Sequence, residues 1–152
     1  MIEIKAPNKL EFNSKSVFLA GSIEMGKAVD WQTRVAQELA DSDVTVLNPR
    51  RDDWDSSWIQ TIDNPQFYQQ VKWELDALDQ ADLIAMYFDP ATKSPISLLE
   101  LGLYADTGKL LVCCPEGFWR KGNVDIVCYR HGLTNVPNIE MFIDVLKSWG
   151  KA

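Results

Sequence analysis

The sequence predicts an α/β domain in which a parallel sheet is covered by helices on both faces. Four short apolar runs have the length and the β-branched content of buried strands, namely 16–21, 44–49, 81–88 and 109–115. The segments between most of these runs repeat apolar residues every three to four positions, which is typical of a helix with one buried face. Continuous apolar strands that alternate with helices indicate a parallel sheet buried on both sides.

Length and charge limit the domain count and the partners. The 152 residues fit one domain, 1–152, whose first 15 residues are expected to be extended or loosely ordered. A net charge of -7 argues against a nucleic acid polymer as partner, because such binding needs Lys and Arg to displace counterions. A small nucleoside or nucleotide stays possible. No apolar run approaches the length of a membrane span, so no membrane contact is expected.

Cysteine and histidine are too few and too scattered for a metal site. Cys113 and Cys114 are adjacent in an apolar run, and with Cys128 they fit neither a disulfide framework nor a zinc spacing. An odd count of three, with no secretory leader, predicts a reducing cytoplasm. A lone His131 cannot build a multi-histidine site. We therefore expect neither a metal nor a cofactor.

The first helix is predicted over 28–40, where Ala28, Trp31, Val35 and Leu39 share one face. After the second strand, the segment 50–62 carries charges and aromatic rings without a period. We interpret it as a long loop, and long loops in compact domains tend to be functional.

The remaining helices have clear start and stop signals. Asn64 followed by Pro65 predicts an N-cap and a first helical residue. A further helix is expected over roughly 96–107, where Gly108 is the C-terminal signal. The segment 123–130 is interpreted as a fifth, shorter strand. A last amphipathic helix is predicted over 138–149, at the end of the chain.

Ligands of such sheets collect at the carboxyl ends of the strands. The segments that follow the predicted strands are Gly21-Ser22, Asn48 to Asp55, Asp89 to Ser97 and Pro115 to Asn123. The turn in "GSIEMG", 21–26, either offers backbone N–H groups to a ligand oxygen or is a plain tight turn.

Two carboxylates are placed for chemistry. Glu100 is surrounded in sequence by leucines, which we expect to dock its helix on the sheet. It lies about one turn into that helix, so the helix dipole is expected to keep it ionised, as a nucleophile requires. Glu74 borders the buried stripe of the preceding helix. Two converging carboxylates without histidine or metal suit reaction at an acetal-like carbon, with glycosidic cleavage as the leading example.

Three stretches, "VFLAGSI", "DQADLIAMYFDP" and "LLELGLYADTGK", carry a resemblance to a known family. Over roughly 16–130 the chain resembles the nucleoside 2′-deoxyribosyltransferases and the related 2′-deoxynucleoside 5′-monophosphate N-glycosidases. The most specific piece is E-L-G-x-x-x-x-x-G-K, which begins at Glu100 and ends at Lys109. The resemblance implies a flavodoxin-like (Rossmann-like) five-stranded parallel sheet and homo-oligomers that share active sites.

The resemblance also implies roles for single residues. Glu100 matches the glutamate that attacks the anomeric carbon and forms a covalent glycosyl-enzyme with retained configuration. Glu74 matches the assisting acid, where the family commonly has Asp, and Asp76 is the other candidate for this role. Ser94 stands where the transferases commonly have Asp and the monophosphate glycosidases have Ser. Glu24 stands where the monophosphate enzymes tend to have Arg, which argues against a phosphate.

The remaining expected site residues bind substrate. Asn123 matches an asparagine through which a neighbouring subunit reaches the 5′ end of the sugar, and nearby Arg120 and Lys121 keep a phosphate possible. The loop after the second strand is expected to read the base. The predicted substrate-binding residues are Gly21, Ser22, Asn48, Asp52, Trp54, Asp89, Ser94 and Asn123.

The leading functional prediction is a transferase that exchanges the base of 2′-deoxyribonucleosides, with nucleosides and free nucleobases as its small-molecule partners. The alternative is an N-glycoside hydrolase of nucleosides or their 5′-monophosphates, which would use the same Glu100. A third hypothesis is a non-catalytic nucleotide-sensing module.

Overall fold

A computed structural model describes residues 1–23 and 29–152. Its centre is a six-stranded sheet with the order β1-β3-β2-β4-β5-β6, and all neighbouring strands are parallel. The strands are β1 (Ile2–Lys5), β2 (Lys15–Gly21), β3 (Val44–Asn48), β4 (Leu83–Tyr87), β5 (Leu110–Cys113) and β6 (Thr134–Val136). The helices are α1 (Trp31–Glu38), α2 (Pro65–Gln80), α3 (Pro95–Tyr104), α4 (Lys121–His131) and α5 (Ile139–Lys151).

The prediction of five strands was wrong, although the flavodoxin-like class is consistent with the structure. The strands β3-β2-β4-β5-β6 follow the 2-1-3-4-5 order of flavodoxin-like folds. The sixth strand is β1, which extends the sheet beyond β3 and pairs from Ile2 opposite Thr45 to Lys5 opposite Asn48. It lies in the segment that was expected to be extended or loosely ordered. The sequence did not mark it as a strand, because only Ile4 of this edge strand is buried.

The predicted strand over 123–130 is a helix. Its buried residues Val124 and Cys128 are four positions apart, which is a helical repeat, whereas Ile126 and Tyr129 are exposed. The apolar residues of this segment therefore belong to opposite faces of α4 and not to one buried strand. Gly132 ends the helix with a φ of 66°.

The other predicted helices are present with shifted ends. Asp30 caps α1, and Ala28, which was expected in its stripe, lies outside the described residues. Asn64 caps α2 by accepting a hydrogen bond from the Phe67 N–H at 3.0 Å. Helix α3 continues into a short 3₁₀ turn, Ala105–Thr107, and Gly108 follows with a φ of 73°.

The helices form one layer on each face of the sheet. Phe18 and Ala20 of β2 belong to the core under α2, α3 and α4. Val17 and Leu19 of the same strand belong to the core under α1 and α5. In the described part of the chain, no helix has both the length and the apolar character needed to span a membrane.

Gly21 allows the ends of the two central strands to approach. It has a φ of 139°, and a Cβ atom at this position would lie 2.2 Å from the Tyr87 carbonyl oxygen. The next residue, Ser22, donates its backbone N–H to that same oxygen at 3.1 Å. Glycine therefore joins the carboxyl ends of β2 and β4, where the strand order reverses and where ligands bind in this class of sheet.

Candidate active site

Glu100 is the sixth residue of α3 and is buried, with 6% of its surface exposed. Leu101 and the half-buried Leu98 contact the core beneath the helix. Leu99 and Leu103 are exposed, so only part of the leucine run docks α3 on the sheet, which corrects the expectation that all of it does. Glu100 is therefore held on the inner side of a helix whose outer side is also apolar.

Glu74 of α2 is the partner of Glu100. Burial raises the pKa of Glu100 well above its ordinary value, and the negative charge of Glu74 raises it further. Burial also raises the pKa of Glu74, to about 7, while a hydrogen bond from the Gln70 amide opposes that rise. The expectation that the helix dipole keeps Glu100 ionised does not account for these shifts, because loss of water and a like charge outweigh the dipole here.

Two carboxyls whose charges affect each other this strongly titrate as one unit. Because each negative charge disfavours the other where little water screens them, the pair resists carrying two charges at once. When the pair holds one proton, one group is a carboxylate and the other an acid. This division of roles is what a glycosidic cleavage by a nucleophile and a proton donor requires.

Asp76, the other candidate acid, lies on the solvent side of α2. Its carboxylate forms an ion pair with Lys72 at 2.5 Å, one turn earlier on the same helix, and is about two-fifths exposed. Because Glu74 contributes to the pKa of Glu100, we take Glu74 as the group beside the buried carboxyl.

A hydroxyl cluster made of Ser22, Thr92 and Ser94 lies at the carboxyl ends of β2 and β4. The Thr92 hydroxyl is 2.9 Å from Ser22 Oγ and 2.8 Å from Ser94 Oγ, and the Ser22 and Ser94 hydroxyls also hydrogen-bond to each other. All three residues are buried. Ser94 has a φ of 46°, a left-handed conformation that is uncommon outside glycine.

Asp89 organises the loop that carries this cluster. Its backbone N–H donates to Ser22 Oγ at 2.9 Å, and its carboxylate accepts the Ala91 N–H at 2.9 Å. The Thr92 hydroxyl also lies 2.9 Å from the Asp89 carbonyl oxygen, to which it can donate. Asp89 is buried, so its described contacts hold the loop before α3.

The contacts of the predicted base-reading loop join Asn48, Asp52 and Trp54 to other residues than the carboxyl pair. The amide of Asn48 donates to Glu3 at 3.0 Å and accepts the Arg50 N–H at 3.0 Å, so it anchors the start of the loop. Asp52 is exposed and forms an ion pair with Lys5 at 2.6 Å. Trp54 packs edge-on against the ring of Trp58, with 5.0 Å between centroids.

Asn123 is exposed in the first turn of α4. The preceding loop contacts the loop before α3, because the Trp119 ring nitrogen donates to the Lys93 carbonyl oxygen at 2.9 Å. The cationic ends of Lys93 and Arg120 lie 5.3 and 4.3 Å from the Trp119 ring. Two cations therefore border this side of the site. Glu24, which was expected to repel a phosphate, lies outside the described residues.

Two residues of the site were missed by the sequence analysis. Thr92 lies in the segment Asp89 to Ser97, which follows a predicted strand. That position alone could have indicated that Thr92 lies near a ligand. Gln70 has no such signal, because nothing in the sequence separates it from its exposed neighbour Gln69. Its Nε2 donates to the Pro49 carbonyl oxygen at 2.9 Å, which ties α2 to the end of β3. Within the described ranges, no group of histidine, cysteine and acidic side chains could hold a metal ion.

The chain matches a known family in sequence and resembles a solved structure in fold. The family described as "Nucleoside 2-deoxyribosyltransferase like" matches residues 14–118, a stretch that includes Glu74, Glu100 and the hydroxyl cluster. No curated protein matches the sequence. The crystal structure of a conserved protein from Enterococcus faecalis V583 has a similar fold, with a TM-score of 0.50 and 11% identity. The similarity covers 91% of this chain and 89% of that one.

Proposed function

Because the chain belongs to the nucleoside 2-deoxyribosyltransferase-like family, we propose that it exchanges the base of 2′-deoxyribonucleosides through a covalent intermediate on Glu100. The observation that carries the proposal is that the charge of the half-buried Glu74 raises the pKa of the buried Glu100, so the two carboxyls interact. With one proton, the pair supplies a carboxylate and a carboxylic acid in one place without requiring a metal.

In the proposed first step, the Glu100 carboxylate attacks C1′ of the deoxyribose. A C1′–O bond forms, the C1′–N bond breaks, and its electron pair leaves with the base. Glu74 gives its proton to the departing base, so the pair carries the charge of one carboxylate before and after the step. In the second step, a new base attacks C1′, its proton passes to Glu74, and Glu100 is released as a carboxylate. Two inversions give net retention of configuration.

The proposed position of the sugar follows from the hydroxyl cluster. Ser22 and Ser94 are proposed to contact the 5′ end of the substrate, while Gly21 keeps the strand ends close and Asp89 holds the loop. The base is proposed to lie toward the loop that contains Asn48, Asp52 and Trp54. Hydroxyl groups can donate and accept hydrogen bonds, which suits both a 5′-hydroxyl and a phosphate.

We also propose that the active protein is a homo-oligomer. Ile96, Leu99 and Leu103 form an exposed apolar stripe on α3, and Ile126 and Tyr129 are exposed on α4. A second copy that covers this face would remove apolar surface from water. It could also bring its Asn123 toward the 5′ end of the neighbouring site. The three buried free cysteines are consistent with a reducing cytoplasm, which stays a prediction.

A hydrolase of nucleosides or 5′-monophosphates is the second candidate. The cations of Lys93 and Arg120 beside Trp119 favour it, since they could attract a phosphate at the edge of the site. The chemistry at Glu100 would be the same, but water would be the second nucleophile. The products would then be the free base and the free sugar, and no new nucleoside would form.

The test is base exchange by the purified protein. A 2′-deoxyribonucleoside is incubated with a second, isotopically labelled base, and the labelled nucleoside is measured. The proposal expects exchange by the wild type and by Glu11→Gln, an exposed control, and at least about a thousandfold loss in Glu100→Gln. Release of base without exchange, faster with a 5′-monophosphate, would favour the hydrolase. Ligand binding without any bond cleavage would favour a sensing module.

A further inference from the structure

Gln70 is a buried polar residue beside the carboxyl pair to which the proposed mechanism gives no role. It lies on α2 one turn before Glu74, and 6% of its surface is exposed. Residues four positions apart share a face of a helix. The Gln70 amide acts on Glu74 through a hydrogen bond. Gln70 is therefore a direct neighbour of the group proposed to protonate the base.

The orientation of the Gln70 amide is fixed. Its Nε2 donates to the Pro49 carbonyl oxygen at 2.9 Å, just after β3. An amide nitrogen has two N–H groups, so the second is available to the Glu74 carboxyl. Rotation of the amide by half a turn would place its oxygen against the Pro49 oxygen and would remove that hydrogen bond. Nε2 therefore faces the Pro49 carbonyl oxygen, and Oε1 lies on the other side of the amide.

Gln70 Oε1 is a buried acceptor that has no hydrogen-bond partner in the part of the chain the structure describes. A buried amide oxygen without a partner is unfavourable and uncommon in folded proteins. Gln70 belongs to the N-terminal half of α2, which begins at the carboxyl edge of the sheet. A substrate N–H group at that edge would satisfy the oxygen.

We propose that Gln70 selects nucleobases that carry an amino group next to an unprotonated ring nitrogen, as adenine and cytosine do. This inference rests on the proposed function. The Glu74 carboxyl, when protonated, is a donor, and Gln70 Oε1 is an acceptor, so the two groups present a donor beside an acceptor. Adenine and cytosine present the complement, since the ring nitrogen accepts the acidic proton and the amino group donates to Gln70.

Hypoxanthine and uracil have the opposite pattern. A carbonyl oxygen replaces the amino group, and an N–H replaces the free ring nitrogen that is N1 in adenine and N3 in cytosine. Oxygen would then face Gln70 Oε1, and the N–H would face the protonated Glu74. Because the Pro49 carbonyl oxygen holds the amide in one orientation, Gln70 cannot turn to accept these bases without losing that hydrogen bond.

The experiment compares two purine nucleosides with each other and two pyrimidine nucleosides with each other. The ratio of kcat/KM is measured for 2′-deoxyadenosine against 2′-deoxyinosine, and for 2′-deoxycytidine against 2′-deoxyuridine. At least one of the two ratios is expected to exceed about 10 in the wild type, because a site built around a hydrogen bond rejects the analogue that lacks it. In Gln70→Met this ratio should fall close to 1, whereas Gln66→Met, an exposed change on the same helix, should keep it.

A substrate analogue tests the same contact without a mutation. Dimethylation of the adenine amino group removes its N–H donors, so the wild type should lose its preference for that analogue over 2′-deoxyinosine. Equal kcat/KM values within both pairs, or a preference that survives in Gln70→Met, would overturn the role of Gln70. Failure of the wild type to cleave any of these nucleosides would instead overturn the proposed function.

Discussion

Glu74 and Glu100 come from different helices, Glu74 half-buried and Glu100 buried, and the charge of Glu74 raises the pKa of Glu100. The raised pKa values have two causes, which are loss of water around both groups and repulsion between the two charges. The folded protein therefore retains protons that the unfolded chain releases, since a free glutamate titrates near about pH 4.3. The same pair that divides into acid and base also lowers stability at neutral pH.

The sign of this effect is testable through Glu100→Gln. A carboxyl whose pKa is raised in the folded state contributes its full stability below the unfolded pKa, and this contribution is lost as the pH rises through the folded pKa. The variant should therefore differ little from the wild type at pH 4.5 and be more stable by about 2–6 °C in Tm at pH 8. Thermal unfolding at both pH values measures it, with Glu11→Gln as the exposed control. An equal difference at both pH values would contradict the coupling.

The sequence did not predict which contacts most of the single site residues make. Glu100 was identified as a buried carboxyl because a charge inside a leucine run is unusual. The environment of Asn48 could not be foreseen, because its amide is used by Glu3 of a strand that was not predicted. Gln70 becomes visible only when its unpartnered oxygen is located in three dimensions.

At the scale of elements, the central strands β2 and β4 define the position of the site, and Gly21 determines how closely they approach. Changing Gly21 to Ala should destabilise the protein by about 2–4 kcal/mol, because the new Cβ meets the Tyr87 carbonyl oxygen and the backbone has a positive φ. Urea unfolding measures the change. The control is Gly102→Ala on α3, where a Cβ meets nothing within 4 Å and helix propensity favours Ala by about 0.5–1 kcal/mol. Similar stability of both variants would contradict this account.

The elements that were predicted from the sequence are those with long or continuous patterns. The strands β2 to β5 are apolar runs, and α2 and α5 have capping residues and a clear period. The helix α4 was predicted as a strand because its apolar residues lie on opposite faces, and β1 was missed because it is an edge strand with one buried residue. A six-stranded sheet therefore depends on pairings that local patterns do not encode.

At the scale of the molecule, the outer surface of the α2–α3–α4 layer carries exposed large apolar side chains on all three helices. If a second copy covers the stripe on α3, then Leu99→Asp should convert an oligomer into a monomer and lower exchange activity by at least about tenfold, because a buried unpaired charge disfavours association. Light scattering after gel filtration and the exchange assay measure the two effects. The control is Met141→Asp on α5, an exposed apolar residue of the opposite layer. A Leu99→Asp protein with unchanged mass and activity would contradict the shared interface.

The central claim is that Glu100 forms a bond to the sugar, and trapping that bond tests it most directly. The protein is incubated with a 2′-deoxyribonucleoside without acceptor base, quenched with acid and digested, and the peptides are analysed by mass spectrometry. We predict a deoxyribosyl adduct on the peptide that contains Glu100, absent in Glu100→Gln and removed by addition of free base. Base exchange that proceeds with Glu100 unmodified, or with the adduct on another side chain, would contradict it.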